Sequence, residues 1–396
     1  MKTCILFVDD EKLVLSGLRR MLAPKRQEWD MTFVTSGEEA LAFLKENPCH
    51  IIVTDLLMPG MDGNQLLKKV QHAHPGLKRV MLTGQPSREF QSQTVFSAHQ
   101  FLMKPCDYQT LVGLIEDLAK VDGDGLGNGL KDLVTTIESL PAIPETFNRI
   151  TQELYSEEPS IDAVASLIAQ DVALSSKLIA LVNSPYYGGN KVSEPKQAVM
   201  LLGLNMIRSL VLTVQAFTVY DPAKVPGFSI PMLWDHSQRV ACLGKRLALA
   251  RGRSAEEADH AFLAGLLHDI GKLVLATHFP EQYNGVLAVV GEGKHTVHEV
   301  EEREFGTSHA NVGAYLMGLW GIPANVTQAM FLHHSLQPIP EDSAPLFEIH
   351  LGNLLDHVHT IIHSHYALQE MYANKLASSP LENILPDWKD VLEHCQ

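Results

Sequence analysis

The first 120 residues alternate short apolar runs with segments of helical spacing. The runs "CILFV", "MTFVT", "HIIVTD", "RVMLT" and "QFLMK" have the length and composition of strands. In "ILFV" and "IIV" the apolar character is nearly continuous, as in strands covered on both faces. A helix is predicted where apolar residues recur at Leu13, Val14, Leu18, Met21 and Leu22, and "SGEEALAFL" opens with a serine that can cap another. The alternation predicts an α/β domain with a doubly wound, five-stranded parallel sheet.

From Leu133 onward the chain shows helical periodicity, without strand-like alternation. The segment "DAVASLIAQDVALSSKLIALVN" places an apolar residue every three or four positions. The segment "AVMLLGLNMIRSLVLTVQAF" is too apolar for a surface helix, which predicts a place at the centre of a bundle. Because Gly203 and Arg208 interrupt it, a membrane span is not expected. We predict an all-helical bundle over residues 133–360 and a helical extension over 361–396.

The two parts are joined by the glycine-rich stretch "VDGDGLGNGL". Such a composition cannot hold a regular element and predicts a flexible linker over residues 121–132. The stretch lacks the Gly-Lys-Ser/Thr ending of a phosphate-binding loop. A signal between the two parts would therefore need direct domain contact or dimerisation rather than helix torsion.

Composition limits the classes of partner. With 396 residues, 45% hydrophobic, the chain can form two or three soluble domains. Its net charge of −15 argues against a general affinity for nucleic acid or anionic membranes, although it leaves room for a local basic groove. The start "MKTCILFVDD" is unlike a signal peptide, and no apolar run reaches the ~20 residues of a membrane span. Five scattered cysteines without a Cys-x-x-Cys pair are typical of a cytoplasmic protein.

Residues with distinctive chemistry stand at the ends of four predicted strands. They are Asp9 and Asp10, Asp55, Thr83 and Lys104. The carboxyl ends of parallel strands meet at one edge of a sheet, so these side chains should converge. Converging carboxylates repel one another unless a hard cation lies among them, and Mg²⁺ prefers oxygen ligands. A carboxylate beside Mg²⁺ and a lysine can attack a phosphoryl group, because the cations neutralise the developing charge.

The same residues lie within "FVDDE", "VTDLLMPGMDG", "MLTG" and "FLMKP". Over residues 1 to about 120 these motifs together resemble the receiver domain of two-component response regulators, which has a flavodoxin-like fold. The resemblance implies that Asp55 accepts phosphate from a histidine kinase. It also implies that Asp9, Asp10 and Asp55 hold Mg²⁺ together with the backbone carbonyl of Leu57.

The receiver resemblance also assigns residues that transmit the signal. Lys104 would contact the phosphoryl group, and Thr83 and Phe101 would occupy switch positions. Receiver domains often dimerise through the switch face, so a homodimer is a further expectation.

The helical part carries a second ordered set of motifs, from "LPAIP" through "DVALSSKLIALVNSPYYG", "AVMLLGLNMIRSL", "LWDHS" and "AFLAGLLHDIGKLVL" to "EFGTSHANVGAYLMGLWGIP". In this order, over residues 133 to 360, they resemble the HDOD domain, a helical relative of the HD phosphohydrolases. HDOD modules are usually regulatory. The resemblance therefore implies contact with a downstream signalling protein and a link to cyclic di-GMP signalling.

The HD resemblance extends to metal ligands. In HD hydrolases one divalent metal is held by residues that here correspond to His236, His268, Asp269 and Asp356. An imidazole–carboxylate set suits Mn, Fe, Zn or Ni better than Mg, and the bound water would act as nucleophile. The branch that cleaves cyclic di-GMP adds a second metal and a phosphate-binding lysine. The residues that match those additions are His309, His333, His334 and Lys272.

Other features count against an active enzyme. Met232 stands where that branch has a glutamate, and "SLQPIPED" follows the His pair in place of a Gly-Tyr-Pro loop. Buried His and Asp residues can also satisfy one another as polar core groups. Gly271 of "HDIGK" would then serve close helix packing. A later histidine group is predicted to lie on a solvated or partly buried helix face and comprises His357, His359, His363 and His365.

Three functions stay open. The first is a response regulator whose HDOD module acts through protein–protein contacts. The second is a metal-dependent phosphohydrolase of a cyclic dinucleotide or nucleotide, controlled by the receiver. The third is a nucleic-acid or nucleotide-sensing module, which the acidic balance and the lack of a clustered basic recognition helix disfavour.

Overall fold

A computed structural model describes residues 2–74, 76–83, 98–104, 108–120, 133, 145–154, 156, 159–184, 191–216, 225–335 and 343–359. The predicted linker, 121–132, and the predicted C-terminal extension, 361–396, lie outside the described residues. The chain divides into two compact units. One comprises Met1–Ser160 with Gly318–Gly321, and the other comprises Ile161–Met317 with Ile322–Gln396.

The first unit is built on a parallel sheet. Its strands are β1 (Thr3–Val8), β2 (Trp29–Val34), β3 (Ile51–Asp55), β4 (Lys78–Thr83) and β5 (Gln100–Met103). They lie in the order β2-β1-β3-β4-β5, and each neighbouring pair is parallel. The accompanying helices are α1 (Lys12–Met21), α2 (Gly37–Glu46), α3 (Gly63–Ala73) and α4 (Tyr108–Lys120). The predicted five-stranded, doubly wound sheet is confirmed.

Local sequence signals explain parts of this arrangement. Every residue of β3 is buried, as its continuous apolar run predicts. The Oγ atom of Ser36 accepts a hydrogen bond from the backbone N–H of Glu39 and caps α2, as expected. In α1, however, Leu13 is 84% exposed whereas Leu18 is buried. At about 100° per residue the two side chains lie about 140° apart around the helix, so they cannot share one face.

The remaining described helices are α5 (Glu145–Leu154), α6 (Ile161–Ala169), α7 (Val172–Asn183), α8 (Pro195–Leu202), α9 (Leu204–Ala216), α10 (Ile230–Ala250), α11 (Ala255–Leu267), α12 (Ile270–His278), α13 (Pro280–Val290), α14 (Val297–Phe305), α15 (His309–Leu319), α16 (Ala324–Leu332) and α17 (Leu346–His359). In the second unit α10 packs against α11 and α17. Helix α5 belongs to the first unit, and the helices of the second unit confirm the predicted all-helical domain.

Two long apolar segments each form two helices. The first breaks before α7, because the side chain of Asp171 accepts a hydrogen bond from the backbone N–H of Leu174 and caps a new helix. The second breaks at Gly203, whose φ of 76° ends α8. The predicted place at the centre of the bundle is therefore wrong for the end of α8, where Met200 and Leu201 are 64% and 50% exposed.

Among the described residues, no single helix combines the length and apolar composition needed to cross a membrane. The bent pair Ile161–Ala169 and Leu174–Asn183 meets those two criteria when its helices are taken together.

The start of α3 packs closely against β3. The backbone N–H of Gly63 donates to the carbonyl oxygen of Leu56, at 2.9 Å. A Cβ atom on Gly63 would lie only 2.1 Å from the carbonyl oxygen of Asp55. A side chain at this position would therefore push α3 away from the strand that ends in Asp55.

We predict that Gly63→Ala lowers the free energy of unfolding by about 1–3 kcal/mol or more, as extra atoms do in a well-packed core. Gly113→Ala in α4 is the matched control, because a Cβ atom there meets nothing within 4 Å. That control should be neutral or stabilising by up to about 1 kcal/mol, as for glycine replaced within a helix. Urea unfolding followed by circular dichroism measures both. Equal stability of the two variants would contradict the close packing.

Candidate functional site

The first candidate site is an acidic pocket at the carboxyl edge of the sheet, formed by Asp9, Asp10, Asp55 and Lys104. The Nζ atom of Lys104 lies 2.6 Å from Oδ2 of Asp9 and 2.7 Å from Oδ1 of Asp55. Asp9 and Asp55 are buried, and Asp10 beside them is half-buried. The β1–β3 register pairs Val8 with Thr54, which sets the two buried aspartates side by side.

Among the residues that the structure describes, protein groups alone do not balance the charge in this pocket. Burial raises the pKa of Asp55 despite the Lys104 contact, and Asp9 contributes in the same direction. Burial opposes the charge on Lys104, but its hydrogen bonds to Asp55 and Asp9 raise the pKa of this ammonium. Two carboxylates facing one ammonium leave an excess negative charge, and Asp10 adds another. An oxygen-rich, negatively charged donor set of this kind fits Mg²⁺.

The other receiver positions lie in the expected elements. Leu57 follows β3 by two residues, and its side chain is 59% exposed. Thr83 is the last residue of β4, and Phe101 in β5 pairs with Met81. The side chains of Thr83 and Phe101 fall outside the part of the chain that the structure describes.

The second candidate site is a histidine cluster buried among the helices. His236 lies on α10, and His268 and Asp269 form the turn between α11 and α12. His309 begins α15, and His333 and His334 follow α16. We define the cluster as His236, His268, Asp269, His309, His333 and His334.

The cluster contains two groups of possible metal ligands that share one carboxylate. The first group is His236, His268 and Asp269, and the second is Asp269, His309, His333 and His334. Within each group the candidate ligand atoms lie within 4.8 Å of one another. Oδ2 of Asp269 is 3.5 Å from Nε2 of His236, and Oδ1 is 3.1 Å from Nε2 of His309. Asp269 therefore stands where a carboxylate could bridge two ions.

Hydrogen bonds at Nδ1 determine whether Nε2 of His268 and of His333 is free of a proton and can bind a metal ion. His268 Nδ1 donates to the carbonyl oxygen of Gly265 at 2.7 Å, and His333 Nδ1 to that of Met330 at 2.6 Å. A carbonyl oxygen only accepts, so each Nδ1 carries a proton. Burial lowers the pKa of His268 to about 3 and that of His333 well below its usual range, so both rings are neutral. Each Nε2 consequently offers a lone pair.

Ring nitrogens also face one another directly. Nε2 of His236 lies 3.1 Å from Nε2 of His268, and Nε2 of His309 lies 3.0 Å from Nε2 of His334. Two lone pairs at this separation repel unless a proton or a metal ion lies between them. A proton could lie between Nε2 of His309 and Nε2 of His334. Burial opposes it, but the neighbouring carboxylates of Glu301 and Asp269 outweigh that effect and raise the pKa of His309.

The donor set fits a divalent metal with nitrogen and oxygen ligands. Within the described residues, the buried Oδ1 of Asp269 and Nε2 of His333 have no hydrogen-bond partner. Both atoms belong to the second ligand group, and imidazole with carboxylate suits Mn, Fe, Zn or Ni. These two ligand atoms are therefore the strongest sign of a metal centre.

Two basic side chains already compensate the carboxylates. Lys272 Nζ donates to Oδ2 of Asp269 at 2.6 Å, and Arg239 Nε donates to Oδ1 of Asp356 at 2.6 Å. Burial opposes the charge on Asp269, yet His268 and Lys272 hold its pKa well below the usual range. The carboxylates therefore stay ionised in this buried setting.

Asp356 was expected to be a metal ligand, but it lies outside both ligand groups. Its Oδ2 atom accepts from Nδ1 of His236 at 2.6 Å, on the side of the ring away from the cluster centre. Although burial opposes it, contacts with His236 and Arg239 hold the pKa of Asp356 well below its usual range. Asp356 orients His236 and does not join either ligand group. Lys272 contacts Asp269, and its expected contact with phosphate stays a prediction.

Three residues near the cluster were not assigned to it from sequence. His357 is buried, with its ring centroid 5.1 Å from that of His236. The prediction that it lies on a solvated or partly buried helix face is therefore wrong. His298 stacks on His334 with centroids 4.3 Å apart. Glu301 is fully buried beside His309. The side chain of His359 falls outside the described part, as do His363 and His365 entirely.

Close backbone contact between α12 and α15 assembles the cluster. A Cβ atom on Gly271 would lie 2.0 Å from the carbonyl oxygen of His309 and 2.8 Å from the backbone nitrogen of Gly313. The absence of a side chain at residue 271 lets α15 approach until His309 reaches Asp269. This agrees with the interpretation of Gly271 as a packing residue.

Comparisons with known proteins identify both domains. Family models match the response regulator receiver domain over residues 5–116 and the HDOD domain over residues 140–336. An uncharacterised protein of Treponema pallidum (strain Nichols) is 29% identical over 211 residues, covering 53% of this chain and 40% of that protein. The uncharacterised transcriptional regulatory protein YesN of Bacillus subtilis (strain 168) is 30% identical over 121 residues, covering 29% of this chain and 32% of that protein.

Among solved structures, a proposed phosphohydrolase of Shewanella amazonensis SB2B has a TM-score of 0.50 at 21% identity, covering 66% of this chain and 92% of that one. At this identity the likeness shows the fold alone. The chain spans less than half the length of the two curated relatives. The fold and the family models define the class as a receiver domain followed by a helical HDOD domain. The chain belongs to the response regulators that join a receiver domain to an HDOD domain.

We predict that Gly271→Ala separates α12 from α15 and lowers the free energy of unfolding by about 1–3 kcal/mol or more. The control is Gly285→Ala on α13, where a Cβ atom meets nothing within 4 Å. That variant should match the parent or gain up to about 1 kcal/mol. Chemical denaturation of the full chain compares them. A Gly271→Ala protein as stable as the control would show that the helices do not depend on this contact.

Proposed function

We propose that this chain is a phosphorelay response regulator in which a histidine kinase phosphorylates Asp55 and the HDOD domain acts through protein–protein contacts. The observation that carries the proposal is the Lys104 ammonium held between Asp9 and Asp55. An acidic pair with one fixed ammonium matches the charge requirements of phosphoryl transfer to a carboxylate.

This geometry supports the following transfer step. A carboxylate oxygen of Asp55 attacks phosphorus as the bond from phosphorus to the kinase imidazole breaks. Lys104, already in contact with Asp55, is placed to neutralise a phosphoryl oxygen. Mg²⁺, when bound by Asp9, Asp10, Asp55 and the Leu57 carbonyl, would supply further positive charge.

Phosphorylation would then shift the balance between two arrangements of the protein. A ligand need only bias such an equilibrium by a few kcal/mol to change the output. In this proposal Thr83 and Phe101 carry the change to the surface of the receiver, which contacts the HDOD domain or pairs with a second receiver. The output is binding of a cytoplasmic signalling protein, with control of cyclic di-GMP enzymes as one such role.

A second candidate is a metal-dependent phosphohydrolase acting on a cyclic dinucleotide or nucleotide. The specific observation in its favour is the pair of ligand groups that share Asp269. A metal held there would supply an activated water as the nucleophile. His236, His268 and Asp269 would hold one ion, and His309, His333 and His334 would complete a second. The Lys272 ammonium contacts the shared carboxylate and would bind a phosphate oxygen of the substrate.

We predict that Asp55→Asn abolishes labelling of the full chain by acetyl phosphate in the presence of Mg²⁺, because the amide cannot accept a phosphoryl group. Asp30→Asn, at an exposed position in β2, is the control and should label like the parent. Intact-protein mass spectrometry measures the acyl phosphate. Labelling that persists in Asp55→Asn would place the acceptor elsewhere.

For the second candidate we predict at least one equivalent of transition metal in freshly purified protein and hydrolysis of a cyclic dinucleotide after Mn²⁺ loading. Elemental analysis and product chromatography measure the two quantities. Less than a tenth of an equivalent, with no hydrolysis after loading, would eliminate this candidate. The response-regulator proposal would be unaffected, since it depends on Asp55.

A further inference from the structure

Glu301 occupies a buried position between Tyr283 of α13 and His309 at the start of α15. It lies on α14, and its side chain is fully buried. Its Oε2 atom accepts from the backbone N–H of His309 at 2.8 Å and lies 2.5 Å from His309 Nδ1. Its Oε1 atom accepts from the Tyr283 hydroxyl at 3.1 Å. One carboxylate thus holds the ring and the backbone of the same histidine.

This double contact determines which nitrogen of His309 faces the cluster. With Nδ1 donating to Glu301, Nε2 is directed at Oδ1 of Asp269, 3.1 Å away. Holding the backbone N–H as well restricts rotation of the residue at the start of α15. A carboxylate bonded to the far nitrogen of an imidazole fixes its tautomer and orientation and increases the basicity of the nitrogen that binds metal.

We propose that Glu301, itself oriented by Tyr283, is the positioning residue for a divalent metal bound by the second ligand group. The proposal rests on the metal-binding candidate above and adds to it a residue outside the ligand set. The ligands in question are Asp269, His309, His333 and His334.

The effect of Glu301 should be confined to one of the two groups. His236 is held at Nδ1 by Asp356, and His268 is held by the carbonyl oxygen of Gly265. These anchors are independent of Glu301. A loss of Glu301 should therefore weaken one metal equivalent and leave the other in place, whereas a general folding defect would weaken both.

The test uses the full chain, stripped of metal by a chelator and titrated with Co²⁺. Calorimetry measures stoichiometry and affinity, and visible absorption reports the ligand field of each bound ion. The variants are Glu301→Ala, Glu301→Gln and Tyr283→Phe. The matched control is Glu302→Ala, which removes an exposed carboxylate from the same helix.

In the parent we expect two equivalents of Co²⁺. Glu301→Ala should bind one equivalent with unchanged affinity and the other roughly 10- to 100-fold more weakly, as for loss of a ligand's supporting carboxylate. Glu301→Gln, which keeps an oxygen acceptor for Nδ1, should recover part of that loss. Tyr283→Phe should show a smaller loss than Glu301→Ala, and Glu302→Ala should match the parent.

Two results would overturn the inference while leaving metal binding intact. One is unchanged affinity for both equivalents in Glu301→Ala. The other is equal weakening of both equivalents, which would make Glu301 a purely structural residue. A parent protein that binds no Co²⁺ would instead refute the metal-binding candidate itself, so the two failures are distinguishable.

Discussion

The need to neutralise buried carboxylates governs both halves of this protein. An ion removed from water without a partner costs several kcal/mol, so a buried carboxylate persists only beside positive charge or strong donors. Asp55 shares the Lys104 ammonium with Asp9, and Asp269 is held by Lys272. In the receiver pocket, among the described residues, the Lys104 ammonium faces two carboxylates and leaves part of their negative charge uncompensated. That remaining negative charge favours a bound cation such as Mg²⁺, which the proposed attack of Asp55 on an anionic phosphoryl group would need.

The two sites use different donors, and this separates their chemistry. The receiver pocket presents oxygen atoms at the edge of a sheet, which favours Mg²⁺ and exchange of a phosphoryl group. The histidine cluster presents imidazole nitrogens deep among helices, which favours a transition metal held more firmly. Orientation of those nitrogens depends on groups outside the ligand set. A carbonyl oxygen, an aspartate or a glutamate occupies Nδ1 of His268, His236 and His309 respectively.

Much of this could be predicted from sequence because the relevant signals are local. Continuous apolar runs placed all five strands, and the residues that follow those strands located the acidic pocket. The positions of His268 and Asp269 within an apolar helical context also indicated a buried centre. The residues at which helices begin and end were harder to predict, because one residue type can serve in more than one role. Asp171 could be read as a surface residue or a helix cap, and only the cap divides the segment into α6 and α7.

The sequence by itself determined the two domain types and the residues that bear chemistry, since strand period, helix period and residue type are properties of short stretches. Only the tertiary structure decided how those residues act on one another. It placed Asp356 behind His236 rather than among the ligands, buried His357, and set Glu301 against His309. Such pairings join residues that are distant along the chain. The approach of His309 to Asp269 also depends on close helix contact at Gly271, which no periodic pattern encodes.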